Sequence, residues 1–340
     1  MATPGGCKRF SVEAGDDLAE LLTSAPIKAR ARELGFHLCG IAPAGDLPEL
    51  TFFETWLARG YAGEMAYLKR SARERADVRR VLPSAQSVIV TGTIYNTDVP
   101  YSTESADPGR AHIARYAWGD DYHDVIAGRL DALLAWMRGQ SPEPFDARAY
   151  VDTGPVQERV YAQHAGVGWI GKNTCVINPE AGSWIFLAEI ICSLPLAADE
   201  PALDQCGTCT LCIDACPTRA IVSPAVLDST RCISYLTIEQ RGPIPGEFTK
   251  AVGSHVYGCD VCQEVCPWNQ VAPSSSDPAW QPRPVWRDAN VSALAAMSDE
   301  ELRSAMRGSS MRRTKVVGLR RNLEVALGTV QHNGHKGHNE

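Results

Sequence analysis

The sequence predicts an α+β fold with a metal-folded segment in its C-terminal half, and three observations predict it. Up to about residue 195, apolar residues at helical spacing alternate with short β-branched runs. Between Cys206 and Cys266, eight cysteines stand in ferredoxin-like spacing. After Gln270 the chain turns rich in Pro and Ser, then basic and helical. The 340 residues therefore divide into an α/β domain (1–195), a ferredoxin-type domain (196–270), a linker with a short helical segment (271–330) and a disordered tail (331–340).

Taken in order, Ser24 and Pro26 read as an N-cap and a first-turn proline opening a helix that Gly35 closes. Phe36 to Ile41 reads as a short strand, and Phe52 to Arg59 and Glu64 to Arg70 as helices. QSVIVTGTIY, from Gln86 to Tyr95, is apolar and β-branched, as a central strand requires. Ile126, Leu130, Leu133, Leu134 and Met137 recur at helical spacing. A strand from Ala147 to Val151 ends at Asp152, and a helix is expected from Pro155 to Ala165. The glycine-rich GVGWIGKN follows, then strands at Thr174 to Ile177 and Trp184 to Cys192, with Cys175 and Cys192 as core residues. Ser298 and Glu301 have capping-box spacing for the closing helices.

Composition bounds the function. Hydrophobic content of 44% and charged content of 21% suit a soluble globular chain. The first residues show no apolar leader and no twin arginine, and the most apolar run, Trp184 to Ala198, is broken by Glu189 and Pro195. A cytoplasmic monomer that avoids membranes is expected, and a reducing compartment suits twelve cysteines held as thiols. The net charge of −7 hides two basic runs, Lys69 to Arg80 and Arg303 to Arg321. Such runs are commonly solvated helix faces, and they matter only if a polyanion is a partner.

CGTCTLCIDACP places Cys206, Cys209, Cys212 and Cys216 in a C-x2-C-x2-C-x3-C-P run. In that pattern three close thiolates hold one cluster and the fourth reaches across to a second. CDVCQEVCP adds Cys259, Cys262 and Cys266, but a full repeat needs a cysteine where Val256 stands. Cys232 is the nearby thiol that can replace it. Crossing the fourth ligands gives cluster I from Cys206, Cys209, Cys212 and Cys266, and cluster II from Cys216, Cys232, Cys259 and Cys262. A pair of zinc ribbons would also use C-x2-C pairs, yet would leave the x3-C-P endings unexplained. Two 4Fe–4S clusters are expected.

With those motifs in hand, the chain resembles the epoxyqueuosine reductases, cobalamin- and iron–sulfur-dependent enzymes of queuosine biosynthesis in tRNA. RYAWGDDYH (115–123), DTGPVQERVYAQHAGVGWIGKNTC (152–175), RCISYLTIEQRG (231–242), RERADVRRVLPSAQSVI (73–89) and RRTKVVGLRRNLEVALG carry the likeness, together with the crossed cysteines. The resemblance implies a nitroreductase-like cobalamin domain before the clusters, and reduction of epoxyqueuosine at the wobble position by electrons from an external low-potential donor. It implies Asp152 as proton donor, with a pKa raised by burial, and Arg75, Asp152, Val176, Ser234 and Asp260 near cobalamin. Cluster II is placed on the corrinoid side. A tRNA substrate gives the basic runs a use: Arg312, Arg313, Lys315, Arg320 and Arg321 on phosphates, Lys172 and Arg241 nearer the base.

Each reading has a plainer competitor. Asp152 could simply cap the helix after it, and Tyr122 and His123 could be a buried hydrogen-bonded pair. The glycines at 166, 168 and 171 lack the strand–turn–helix setting of a dinucleotide site, so close approach to a flat macrocycle is the expected use. A reductive dehalogenase would share the cofactors, and a two-cluster electron carrier would share the cysteines while leaving the large first domain idle.

Overall fold

The computed structural model describes residues 22–105 and 107–336; Cys7 and residues 337–340 lie outside that range. Its largest sheet has four antiparallel strands: β1 (Leu38–Pro43), β2 (Ser87–Ile94), β3 (Ala147–Tyr150) and β4 (Ile185–Cys192), in the order β1-β2-β4-β3. All eight residues of β2 are buried, as its uninterrupted apolar run requires of a strand covered on both faces. Alternation splits the side chains between two cores. Ile89, Phe186 and Ile190 pack with Ile27, Ile126, Leu130 and Met137. Val88, Val90, Leu187 and Ile191 pack with Val160, Tyr161 and Ala162.

The helices on either face follow from their apolar stripes. α1 (Ser24–Glu33) starts one residue earlier than expected: Thr23 is its N-cap, and Ser24 Oγ donates to the Ala197 carbonyl at 2.9 Å. Gly35 closes it at φ +90°, a backbone conformation that costs glycine little. α2 (Tyr122–Gln140) buries the five residues that the periodicity selects, and the Asp121 side chain caps it by accepting from His123 N. Each such Leu or Ile contributes about 1.5–3 kcal/mol. α3 begins only at Glu158 and runs to His164, with Gln157 as an N-cap that makes no side-chain cap bond. Asp152 therefore does not cap it.

The iron–sulfur segment is short helices and turns, including Leu211–Asp214 and Val261–Glu264. Strand His255–Tyr257 pairs in parallel with His112–Ile113, which ties this segment to the first domain. The Pro/Ser-rich stretch is not a free linker. Trp280 and Trp286 are buried, Ser275 N donates to the Asn96 carbonyl, and Pro284–Arg287 is helical. Its two tryptophans anchor it, a signal that outweighs the prolines around them. The predicted capping box at Ser298 and Glu301 is present. α4 (Lys315–Lys336) packs Leu319, Leu323 and Ala326 against Val256 and Tyr257. It also carries the chain six residues past the expected helix end at Val330, into the stretch read as a disordered tail. No helix of the described residues is long and apolar enough to cross a membrane.

Candidate active site

The eight clustered thiols gather in two groups of four. Cys212 lies in the field of Cys266, Cys206 and Cys209, and those four line one cavity of about 190 Å3. Cys259 lies in the field of Cys232 and Cys216, and Cys262 in that of Cys259 and Cys232. The grouping follows the crossed pattern, and an all-sulfur donor set of four suits a 4Fe–4S cubane. Burial pushes the Cys259 and Cys262 thiols well above the usual range. Trp169 Nε1 donates to Cys206 Sγ at 3.5 Å, and Ala220 N to Cys216 Sγ at 3.2 Å. Such bonds tune cluster potentials. Cys192 is core, as expected, but Cys175 is not on a strand: it follows Thr174, at φ 69°, and stands near Cys262 and Cys266.

Asp152 sits one residue past Val151, at the end of β3, with φ 57°. Aspartate tolerates this left-handed region better than most residues, and a strained residue at a strand end points to a site. Its side chain is 54% exposed and reaches two partners. Tyr122 Oη donates to Asp152 Oδ2 at 3.0 Å, and His123 Nε2 lies 3.4 Å from the same oxygen. His123 Nδ1 is 2.7 Å from Asp121 Oδ1, so the imidazole bridges two carboxylates. Desolvation lowers the His123 pKa, but its bonds to Asp121 and Asp152 overcome this and carry it up to about 9. For Asp152 desolvation works upward, yet the His123 and Tyr122 bonds hold the carboxyl below its usual value. Within the chain alone these bonds favour the proton on His123; a raised Asp152 pKa is the expectation for burial against the corrin face.

Two further carboxyls complete the neighbourhood. Burial, then the Asp152 charge, raises Glu158 to about 7. Burial raises Glu189 well above the carboxylate range, and its Oε2 has no partner. Arg159 and Arg75 are the nearby cations; Arg75 donates to the Val156 carbonyl at 2.6 Å and to Ser71 Oγ at 3.0 Å, and Arg159 to the Thr174 carbonyl at 2.9 Å. Sequence reasoning missed Glu158 and Glu189 as site groups. The signal was available for Glu189, a lone carboxylate in an apolar strand.

The other expected residues divide. Arg75 and Ser234 are half-buried, and Ser234 hydrogen-bonds the Cys232 thiol. Val176 packs into the second core, and Asp260 is buried, accepting from Arg115 N at 2.6 Å. Their side chains belong to the fold. The glycines serve packing rather than a macrocycle: a Cβ on Gly168 would meet the Ile177 carbonyl oxygen at 2.4 Å, and one on Gly171 would meet Ile177 Cδ1 at 2.4 Å. Half-exposed Asp152 is flanked by Tyr122, whose partly buried ring stands edge-on to that of Tyr116. Tyr257, which tilts against Tyr116, leads through Gly258 to the cluster ligand Cys259.

Among the basic residues, Arg312, Arg313 and Lys315 are exposed, and Lys315 takes φ 61°. Arg313 pairs with Glu239 at 2.9 Å, stacks over Tyr67 at 5.4 Å, and accepts on its carbonyl from Arg241 Nη1. Arg312 acts on Asp121, and Arg313 on Asp152, through their charges, so these cations lie toward Asp121 and Asp152. Lys172 does not. Its Nζ donates to the carbonyls of Gly207 and Cys209, at 2.6 and 2.8 Å, and clamps the cluster I loop. Arg320 is committed to Asp299 and to the Ala295 and Met297 carbonyls, and Arg321 to the carbonyls of Leu236, Gln240 and Gly242.

Comparison with known proteins bears on this geometry. The profile of the family described as epoxyqueuosine reductase QueG matches residues 75–153, and that of the 4Fe-4S double cluster binding domain matches residues 205–269. The chain is 46% identical to an epoxyqueuosine reductase of Gloeobacter violaceus over 318 residues, 90% of this chain and 96% of that one. A crystal structure of an epoxyqueuosine reductase with an epoxyqueuosine-modified tRNA-Tyr stem loop aligns at TM-score 0.79 and 31% identity, covering 90% of this chain and 81% of that chain. The Bacillus subtilis enzyme, described with its catalytic aspartate loop swung out of the active site, aligns at TM-score 0.79 and 29% identity, covering 91% of this chain and 82% of that chain. Held to those matches, with a double 4Fe–4S domain following its α+β sheet, the chain belongs to the epoxyqueuosine reductase family.

Proposed function

We propose that this cytoplasmic chain reduces epoxyqueuosine to queuosine at the wobble position of tRNA anticodons, the last step of queuosine biosynthesis, with cobalamin reduced through its two 4Fe–4S clusters. The carrying observation is Asp152: a strained, half-exposed carboxylate bonded to Tyr122 and His123, with Arg312 and Arg313 lying toward it and Asp121. Homology favours this reading over a dehalogenase or a simple electron carrier.

Removing an epoxide oxygen as water consumes two electrons and two protons. Cobalamin, when bound, would supply a strongly reducing centre, and the clusters could feed it because their potentials extend to roughly −700 mV. Arg75 and Ser234, both half-buried, are the residues that would hold it. Oxygen gathers negative charge as the strained ring opens, so a proton must be at hand. Asp152 presents it, drawing on the imidazolium of His123, and Asp121 steadies the imidazole through Nδ1. Tyr122 fixes the carboxylate rotamer from the other side. The second proton has a nearby source in Glu158, half protonated near neutrality.

The test is anaerobic reconstitution with iron, sulfide and cobalamin, followed by turnover on epoxyqueuosine-containing tRNA. Asp152→Asn keeps the iron content and the corrinoid spectrum and loses about 100-fold or more in turnover. Retained turnover in that variant means another group delivers the proton.

A further inference from the structure

The surface around cluster I differs from the rest of the molecule in both polarity and charge. Leu203 is 80% exposed, Val271 78% and Leu211 49%, three of the described chain's large apolar residues left to solvent. Leu211 lines the cluster I cavity of Cys206, Cys209, Cys212 and Cys266, and Leu203 and Val271 stand two and three residues from its lining residues Gln205 and Trp268. Ala202, next to Leu203, packs with Cys206 and Trp268. Exposed apolar side chains grouped at one spot mark an interaction surface.

The charge is one-sided. From Asn173 to Thr218 the sequence has no Lys or Arg; with Glu189 buried in β4 and Asp199 paired with Lys28, it leaves Glu180, Glu200, Asp204 and Asp214. From Ala251 to Pro282 it again has none. Glu200, Asp204 and Asp214 are exposed beside the apolar residues. Lys172, the cation at the cavity, spends its ammonium on the Gly207 and Cys209 carbonyls. A polyanion is repelled from such a face, whereas the Arg312 and Arg313 face attracts one.

We propose that the surface formed by Leu203, Leu211 and Val271 is the docking site of a protein electron donor whose contact face is apolar and ringed by lysine or arginine. The inference rests on the proposed electron path, in which cluster I receives electrons and cluster II passes them inward. Electron-transfer encounters bury little area, and a small apolar centre with complementary charge around it suits a fast, weak complex. Electrons then enter on one face while the RNA occupies another, so donor and substrate do not compete.

The probe is ferricytochrome c, a basic haem carrier, used to take electrons back out. Holoenzyme is reduced with dithionite, freed of excess reductant and mixed anaerobically; each reduced cluster gives one electron and one haem iron is reduced. The second-order rate should fall roughly tenfold between about 20 and 300 mM salt, and about fivefold or more in Leu203→Lys/Val271→Lys. Dithionite-driven turnover on tRNA should not change in that variant. An unchanged rate with cytochrome c, or a faster rate at low salt with an acidic plant-type ferredoxin, overturns the proposal. So does a wild-type dimer in sedimentation that the double substitution dissolves, because a second copy then covers the patch. Val271→Lys alone, read the same way, decides the matter if the double variant loads iron poorly. Iron content and visible spectra before mixing report on the clusters, so a failure of the two-cluster reading shows there and not in the rate ratio.

Discussion

At the residue scale, His123 rather than Asp152 sets the pH dependence. Its pKa stands at about 9 against an ordinary 6.5, so its contribution to stability is fully present below 6.5 and is lost as pH rises through 9. The same titration empties the proton reserve behind Asp152. Turnover with saturating reductant should therefore show a falling limb near pH 9 in the native chain. His123→Asn should remove that limb and lower turnover by about 10- to 100-fold while leaving both cofactors bound. A limb that persists in the variant assigns it to another group. Asp152 itself was legible in the sequence only through its family motif, because a strand-end aspartate before a Gly-Pro turn reads equally well as a cap. What decides between them is a backbone angle and two contacts that come from α2, about thirty residues away. Glu189 was visible as a carboxylate in an apolar strand, but its neighbours Glu158 and Arg75 are brought to it by the fold.

At the element scale, the C-terminal arginines share a sequence signature and split into two structural kinds. Arg312 and Arg313 are the exposed residues of the turn Ser310–Thr314, and Arg320 and Arg321 lie on α4 with their donors spent on nearby carbonyls. Composition cannot separate them, since the same guanidinium serves phosphates or helix ends. The separation is testable. Arg312→Ala/Arg313→Ala should weaken binding of an anticodon stem loop and lower its salt slope by about 1.4, two single-strand phosphates' worth. Arg321→Ala should leave that slope unchanged and cost about 2–4 kcal/mol in thermal unfolding, because three carbonyls lose a charged donor. Equal effects of both substitutions on RNA binding would refute the division. Elements whose periodicity was long, β2 and α2, are where the sequence reading held, and the stretch from Gln270 to Arg287 is where it failed. There, prolines suggest a linker while Trp280 and Trp286, two large apolar payloads, fix the path of the chain. The π-helical turn Tyr235–Glu239 had no sequence signal. Within it Thr237 Oγ1 accepts from Gly258 N at 2.9 Å, which joins the segments that carry Cys232 and Cys259.

At the scale of the whole molecule, two kinds of folding energy meet at one arginine. The four-stranded sheet is held by two apolar cores, whereas the segment from Cys206 to Cys266 has short helices, small two-stranded sheets and one small apolar cluster of its own, around Ile233, Tyr235, Leu236, Ile244 and Val252. Arg115 joins them. It is 2% exposed, stacks among Tyr101, Trp118 and Trp184 at 5.1, 4.6 and 5.3 Å, and donates to the carbonyls of Thr97 and Val99. Its backbone N–H meanwhile binds Asp260, between the cluster ligands Cys259 and Cys262. Removing iron should then melt the molecule unevenly. Amides of Ser87–Ile94 and Ile185–Cys192 should keep their protection from hydrogen exchange after anaerobic chelation, while those of Leu211–Asp214 and Val261–Glu264 exchange freely. Arg115→Met should spread the loss, because Asp260 then anchors to a loop that the guanidinium no longer holds. If the central strands lose protection with the iron in the unsubstituted chain, the sheet depends on its clusters and the molecule folds as a single metal-dependent unit.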